Sequence, residues 1–143
     1  MKDVHCWIIF AYRCQKGEVE ILLLSKDGVK YEPIYWEGDT PEHAKNYLHK
    51  SLMLQEKDFY PSRDLDWWKS LSVAKDNKTM FKIATSAARL RDIKVKIPKG
   101  YKNLDWFDKT ETFEKLKHWK GYTRAFKKIF GGDTYWECAP TEI

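Results

Sequence analysis

The stretch WEGDTPEHAKNYLHKSL, Trp36–Leu52, decides how this chain is read. Thr40 is a good N-cap, Pro41 suits the first helical position, and Glu42 sits favourably in the positive first turn. Ala44, Leu48, Leu52 and Gln55 recur at helical spacing, with Tyr47 and Ser51 beside them. The pattern predicts a helix over Pro41–Glu56, entered through the glycine–acid step Gly38-Asp39.

Upstream, Val4–Tyr12 (VHCWIIFAY) is rich in β-branched and aromatic residues and reads as a central strand. Gly17 marks a turn over Gln15–Glu18, and Val19–Leu24 completes a hairpin. The stretch from Lys26 to Gly38, around Pro33, is expected to be an irregular loop. Downstream, Asp58–Asp66 reads as a connection. Trp67–Ala74 and Lys78–Thr85 flank a turn at Lys75–Asn77, a second hairpin, while Ser86–Asp92 is ambiguous. Ile93, Val95 and Ile97 alternate with lysines, which predicts an edge strand with one wet face. Leu104–Phe107 precedes a helix from about Thr110, which Gly121 is expected to interrupt and Gly131-Gly132 to stop.

At 143 residues the chain holds one well-buried core and is too short for two ordinary domains. A single domain over 1–143 is expected, with a core at 4–130 and a tail at 131–143. An apolar fraction of 43% and an aromatic fraction of 15% argue against disorder. No run of 18 apolar residues is present, so no membrane span is expected, and the N-terminus lacks a cleavage signature. Cys6, Cys14 and Cys138 show no metal-binding spacing. Reduced thiols in an intracellular, cytoplasmic protein are the expectation. The net charge of +5 is uneven: Arg89–Lys128 carries 13 basic against 5 acidic residues. Such a half attracts phosphates, or simply solvates a surface.

The order strand, strand, loop, helix, hairpin, strand, Trp-Phe, helix predicts an α+β chain, an α/β/α sandwich with a mixed sheet. With Gly38-Asp39, the Pro41-Glu42 helix start and Trp106-Phe107 before the last helix, it resembles the Nudix hydrolases. That family's box reads G-x5-E-x7-R-E-U-x-E-E-x-G-U, U being aliphatic. The resemblance implies glutamates on one helix face holding Mg²⁺. Counting seven residues on from Asp39 puts the last three glutamate positions at Leu48, Ser51 and Leu52. Placing Leu48 in the aliphatic position instead puts them at Tyr47, Lys50 and Ser51. Neither register keeps a carboxylate there. Asp39 and Glu42 are the residual acids of the box, Glu37 lies beside them, and Asp64, Asp66, Glu111 and Glu114 stand elsewhere.

No serine-hydrolase, P-loop or dinucleotide fingerprint is present. The ligand-binding candidates are Tyr35, Trp36, Lys26, Lys50, Trp67 and Trp68, indoles and phenols for stacking on bases and lysines for phosphates. Three classes remain open. One is a non-catalytic Nudix-like module for a nucleotide, dinucleotide or RNA end, without a cofactor. Another is a protein–protein adaptor or inhibitor using exposed aromatics and the basic second half. The third is a Mg²⁺-dependent pyrophosphohydrolase with rearranged acids.

Overall fold

Strand β1 runs over Lys2–Gln15, longer at both ends than its apolar centre, because it is the spine on which the other strands assemble. The computed structural model describes residues 2–60, 68–132 and 138. Trp67, Asp64, Asp66 and the tail beyond Gly132, Cys138 apart, lie outside the described residues. Lys16 and Gly17 both adopt positive φ, 54° and 80°, the twist a two-residue hairpin turn requires. The chain returns as β2, Glu18–Ser25, antiparallel to the second half of β1. Arg13 and Glu20 face each other across this hairpin with a 2.8 Å ion pair, and the guanidinium lies 4.2 Å over the Trp106 ring.

The expected irregular loop contains a strand. Ile34–Glu37 forms β3 and pairs antiparallel with the first half of β1. Pro33 precedes it, where a missing N–H costs the ladder nothing. Helix α1 covers Glu42–Asn46 and continues as a π-helical turn over Tyr47–Ser51. It is therefore shorter than Pro41–Glu56. Thr40 does not cap it: the N-cap is Pro41, with no side-chain hydrogen bond.

The second hairpin is present as β5, Trp68–Ala74, and β6, Thr79–Leu90, after a two-residue β4 at Phe59–Tyr60. Asp76 closes its turn by accepting from the amides of Lys78 and Thr79. β6 runs parallel to β1 from Lys2↔Thr79 to Tyr12↔Arg89, and carries β5 and β4 on its other edge. The ambiguous residues after Thr85 are thus mostly strand. β7, Asn103–Phe107, adds to β2 and closes the mixed sheet. Among the described residues Ile93–Ile97 makes no ladder: Ile93 and Val95 pack on the core while Ile97, on the same side of the alternation, is exposed, so no regular strand face forms.

Helix α2, Lys109–Lys115, is capped by Asp108, whose carboxylate accepts from the Glu111 amide. Helix α3, Lys120–Phe130, follows and ends at Gly131. The break falls before Lys120, and Gly121 belongs to the first turn of α3. The Trp119 indole lies over Gly121, where any side chain would collide with it.

Alternation along the strands divides the core. Ile8, Phe10, Tyr12, Ile21 and Ile83 face α2 and α3, meeting Phe126, Ile129 and Phe130. Ile9, Ala11, Leu22, Leu24 and Ile34 face α1, meeting Ala44, Leu48 and Leu52. The result is the expected α/β/α sandwich. Truncating Leu48 or Leu52, each 2% exposed, would cost about 2–5 kcal/mol.

One expectation is overturned outright. Cys14 and Cys138 form a disulfide, 124 positions apart, and Cys6 is the free thiol among the cysteines. Both cysteines of the bond pack against the α2–α3 core, which brings the thiols together without any sequence spacing to announce it.

Candidate functional site: an aromatic row on the first-helix face

Two registers of the helical box were open, and packing selects between them. Leu48 and Leu54 are both 2% exposed and point into the core, as the two aliphatic positions demand. Met53 has φ of +59°, the left-handed conformation for which a glycine is the ordinary residue. It stands where the box has its second glycine once Leu48 is the first aliphatic. The alternative register would turn Leu48 and Leu52, both core residues, into metal ligands. The glutamate positions are therefore Tyr47, Lys50 and Ser51.

These residues do not fit Mg²⁺, a hard cation that takes oxygen ligands and usually carboxylates. Lys50 is an exposed cation, Ser51 offers a neutral hydroxyl, and the Tyr47 hydroxyl is turned into the protein. Asp39 and Glu42 are exposed at the start of the helix. Among the described residues, no three His, Cys, Asp or Glu side chains converge on a metal-sized space.

What the helix does build is a row of rings. Trp36, on β3, is 37% exposed and stacks with His43 of α1, ring centroids 5.7 Å apart at 28°. Tyr47 comes next, 6.1 Å from Trp36, and its other neighbour is Tyr101 at 6.3 Å. The Lys26 ammonium sits 5.4 Å over the Tyr101 ring, a cation–π contact that ends the row on a positive charge. Trp7 lies opposite Trp36 in the β1–β3 register and anchors the loop by donating from its indole to the Gly38 carbonyl at 2.7 Å.

Glu32 lies behind the row. The Tyr101 hydroxyl donates to its carboxylate at 3.1 Å, and the Tyr122 hydroxyl reaches it from the α3 side. Burial first, then the Glu32 charge, pushes the Tyr101 and Tyr122 hydroxyls well above the ordinary phenol range. Tyr47 shifts the same way, chiefly by burial; its enclosed hydroxyl makes no hydrogen bond of ordinary geometry, although Tyr101 interacts with it.

The candidates named from sequence thus separate. Trp36 and Lys26 are brought into one row. Tyr35, one residue from Trp36, faces the opposite layer: its ring packs edge-on against Trp119 and Tyr122, and its hydroxyl lies 3.2 Å from the Cys6 sulfur. Lys50 is exposed on the π-helical turn. The Trp68 backbone pairs with Thr85 at the start of β5, and Trp67 lies outside the described residues. Sequence reasoning missed His43, Tyr101 and Glu32. The first has a signal in its spacing from Tyr47 on one helix, whereas Tyr101 and Glu32 are loop residues that only the tertiary fold unites.

No protein-family model matches the chain, and no curated protein matches it by sequence. Solved structures do match. A Caenorhabditis elegans Ap4A hydrolase in a binary complex superposes with a TM-score of 0.67 at 14% identity, over 90% of this chain and 96% of that one. A structure described as a Nudix hydrolase from Listeria monocytogenes gives 0.63 at 11%, over 87% and 90%. The Nudix domain of Shewanella oneidensis NrtR, complexed with ADP ribose, gives 0.58 at 8%, over 80% and 78%. At such identities the likeness is one of fold. The chain has a Nudix-like fold.

Proposed function

We propose that this chain is a non-catalytic Nudix-like module that binds a nucleotide, dinucleotide or RNA end along the Trp36–Tyr47–Tyr101 row. The observation that carries the reading is the row itself, built where the box has its metal ligands and ending on Lys26. Trp36 is the stacking platform, a contact worth about 1–3 kcal/mol per base. Lys26 and Lys50 supply positive charge for phosphates. No cofactor is needed, since the residues in the ligand positions do not suit Mg²⁺. Structural neighbours support the ligand class, one being an Ap4A hydrolase and another a domain complexed with ADP ribose. A nucleotide ligand suits a cytoplasmic setting, whereas the Cys14–Cys138 disulfide suits an oxidising one. Among the described residues, no helix is long and apolar enough to cross a membrane.

The test is a thermal-shift and calorimetric panel of ATP, NAD, ADP-ribose and Ap4A, with and without Mg²⁺, on the native chain, Trp36→Ala and Lys50→Glu. A Mg²⁺-independent shift that Trp36→Ala abolishes and Lys50→Glu weakens is the expected result. Turnover of any of these ligands would overturn the non-catalytic reading, and the absence of any shift would overturn the nucleotide reading.

A further inference from the structure

Positive charge continues where the aromatic row stops. From Asp92 to Lys102 the chain carries four lysines and one acid. Val95 is buried in the α1-side core with Leu48 and Leu52, and Ile93 packs against the same cluster, which fixes this segment to the layer of the row. Lys94 and Lys96, on either side of Val95, are exposed. The chain then bends: the Tyr101 amide donates to the Pro98 carbonyl at 3.2 Å, and Gly100 takes a φ of +92°. Lys99 is exposed at that bend. The Lys102 amide donates to the Ser25 carbonyl at 2.8 Å and its side chain lies against Gly28, so it stands beside the turn that carries Lys26. Among the described residues none of Lys26, Lys94, Lys96, Lys99 and Lys102 is held in an ion pair. The Trp36 end of the row differs in sign, with Asp39 and Glu42 exposed there.

We propose that this face holds the end of a single-stranded nucleic acid, its terminal base on Trp36 and its phosphodiester backbone leaving over Tyr101 and along the five lysines. The proposal rests on the nucleotide reading of the row and extends it. A free nucleotide gathers its phosphates in one cluster, for which Lys26 and Lys102 suffice. A strand repeats a phosphate at every nucleotide, and its charge is spread as Lys94, Lys96 and Lys99 spread theirs. The difference in sign along the face sets the direction. Asp39 and Glu42 repel phosphates, so the backbone departs by the basic end and Trp36 receives the last base. A duplex is a poorer fit, because its bases already stack on one another and offer Trp36 no free face.

The experiment is calorimetric titration of the full chain with linear oligouridylate, linear oligothymidylate of equal length, the same oligothymidylate circularised, inorganic polyphosphate and ADP-ribose. The linear strands are expected to bind, with log affinity falling against log salt at a slope of about 0.7 for each phosphate contacted. Either sugar supports the proposal, and the tighter of the two identifies the strand. The double variant Lys94→Glu, Lys96→Glu should weaken strand binding about tenfold and flatten the salt dependence, with ADP-ribose affinity unchanged. Both side chains are exposed, so an unchanged melting temperature confirms that the variant folds. Trp36→Ala should weaken the strand and ADP-ribose alike. Circular and linear strands of equal affinity, polyphosphate bound as tightly as a strand, or strand binding indifferent to either variant would each overturn the proposal. ADP-ribose bound without any strand overturns this proposal alone, whereas a strand bound without ADP-ribose overturns the free-nucleotide reading alone.

Discussion

Tyr47 and Tyr101 meet edge to face, 6.3 Å between ring centroids, and the Tyr47 hydroxyl is sealed from solvent between them and the helix. A polar atom enclosed without a well-formed hydrogen bond has lost its water for little return. Tyr47→Phe is therefore expected to leave stability unchanged or to raise it by up to about 1 kcal/mol. Urea unfolding at neutral pH measures this, and a loss above about 1 kcal/mol would contradict it.

Met53 holds a left-handed backbone with its side chain 64% exposed, so little packing is lost on its removal. Met53→Gly relieves the strain at the cost of a freer unfolded chain. A net gain of about 0.5–1 kcal/mol is expected. The readout is a higher denaturation midpoint with an unchanged slope.

The cysteines make a prediction in thiol counting. Cys14 and Cys138 are bonded, while Cys6 is buried and its thiol is pushed up in pKa, chiefly by burial. The oxidised native protein should show no rapidly reacting thiol and one in denaturant; reduction should raise that to three. Cys138→Ser is expected to lower stability by about 2–4 kcal/mol relative to the oxidised chain.

The Tyr35, Tyr101 and Tyr122 hydroxyls are all pushed above the ordinary phenol range, in each case first by burial. The unfolded chain ionises these groups near pH 10 while the folded chain keeps them protonated, so the folded state binds more protons. Their contribution to stability is complete below pH 10 and is lost as the pH climbs above it. Tyrosinate absorbance should therefore rise in two stages, the second coincident with unfolding, and Tyr122→Phe should make the alkaline loss of stability less steep.

Installing carboxylates at the three ligand positions tests the register. The triple variant Tyr47→Glu, Lys50→Glu, Ser51→Glu is expected to gain a Mg²⁺-dependent rise in melting temperature that the parent lacks. A variant built on Leu48, Ser51 and Leu52 should instead fail to fold, because two of its changes bury charge in the core.

Local chemistry made much of the fold readable. Gly17 marked the first hairpin, Asp76 lay in the turn of the second, and Gly131 stopped α3. The errors arose where tertiary contacts replaced local signals. Met53 takes a backbone shape normally reserved for glycine, so nothing in the sequence marked the helix end. Ile93 and Val95 meet the core without a ladder beneath them, and Ile97 does not meet it at all, so the alternation there did not mark a strand. The Cys14–Cys138 bond joins residues with no spacing to suggest it. Of the site, Trp36 and Lys26 could be named in advance. Tyr35 could not be separated from Trp36 without knowing which layer each side of β3 faces.

The long parallel pairing of β1 with β6 also sets an order of events. Each of its partners, from Lys2↔Thr79 to Tyr12↔Arg89, is separated by 77 positions. During synthesis this central strand must wait, paired on one edge only by β2 and β3, until residue 90 has emerged. Closing so long a loop before the central ladder forms makes folding slow for this size, on the scale of milliseconds to seconds. In that interval the edge of β1 that β6 later covers stands open, which leaves Ile8, Ile9 and Phe10 available for mispairing with another chain.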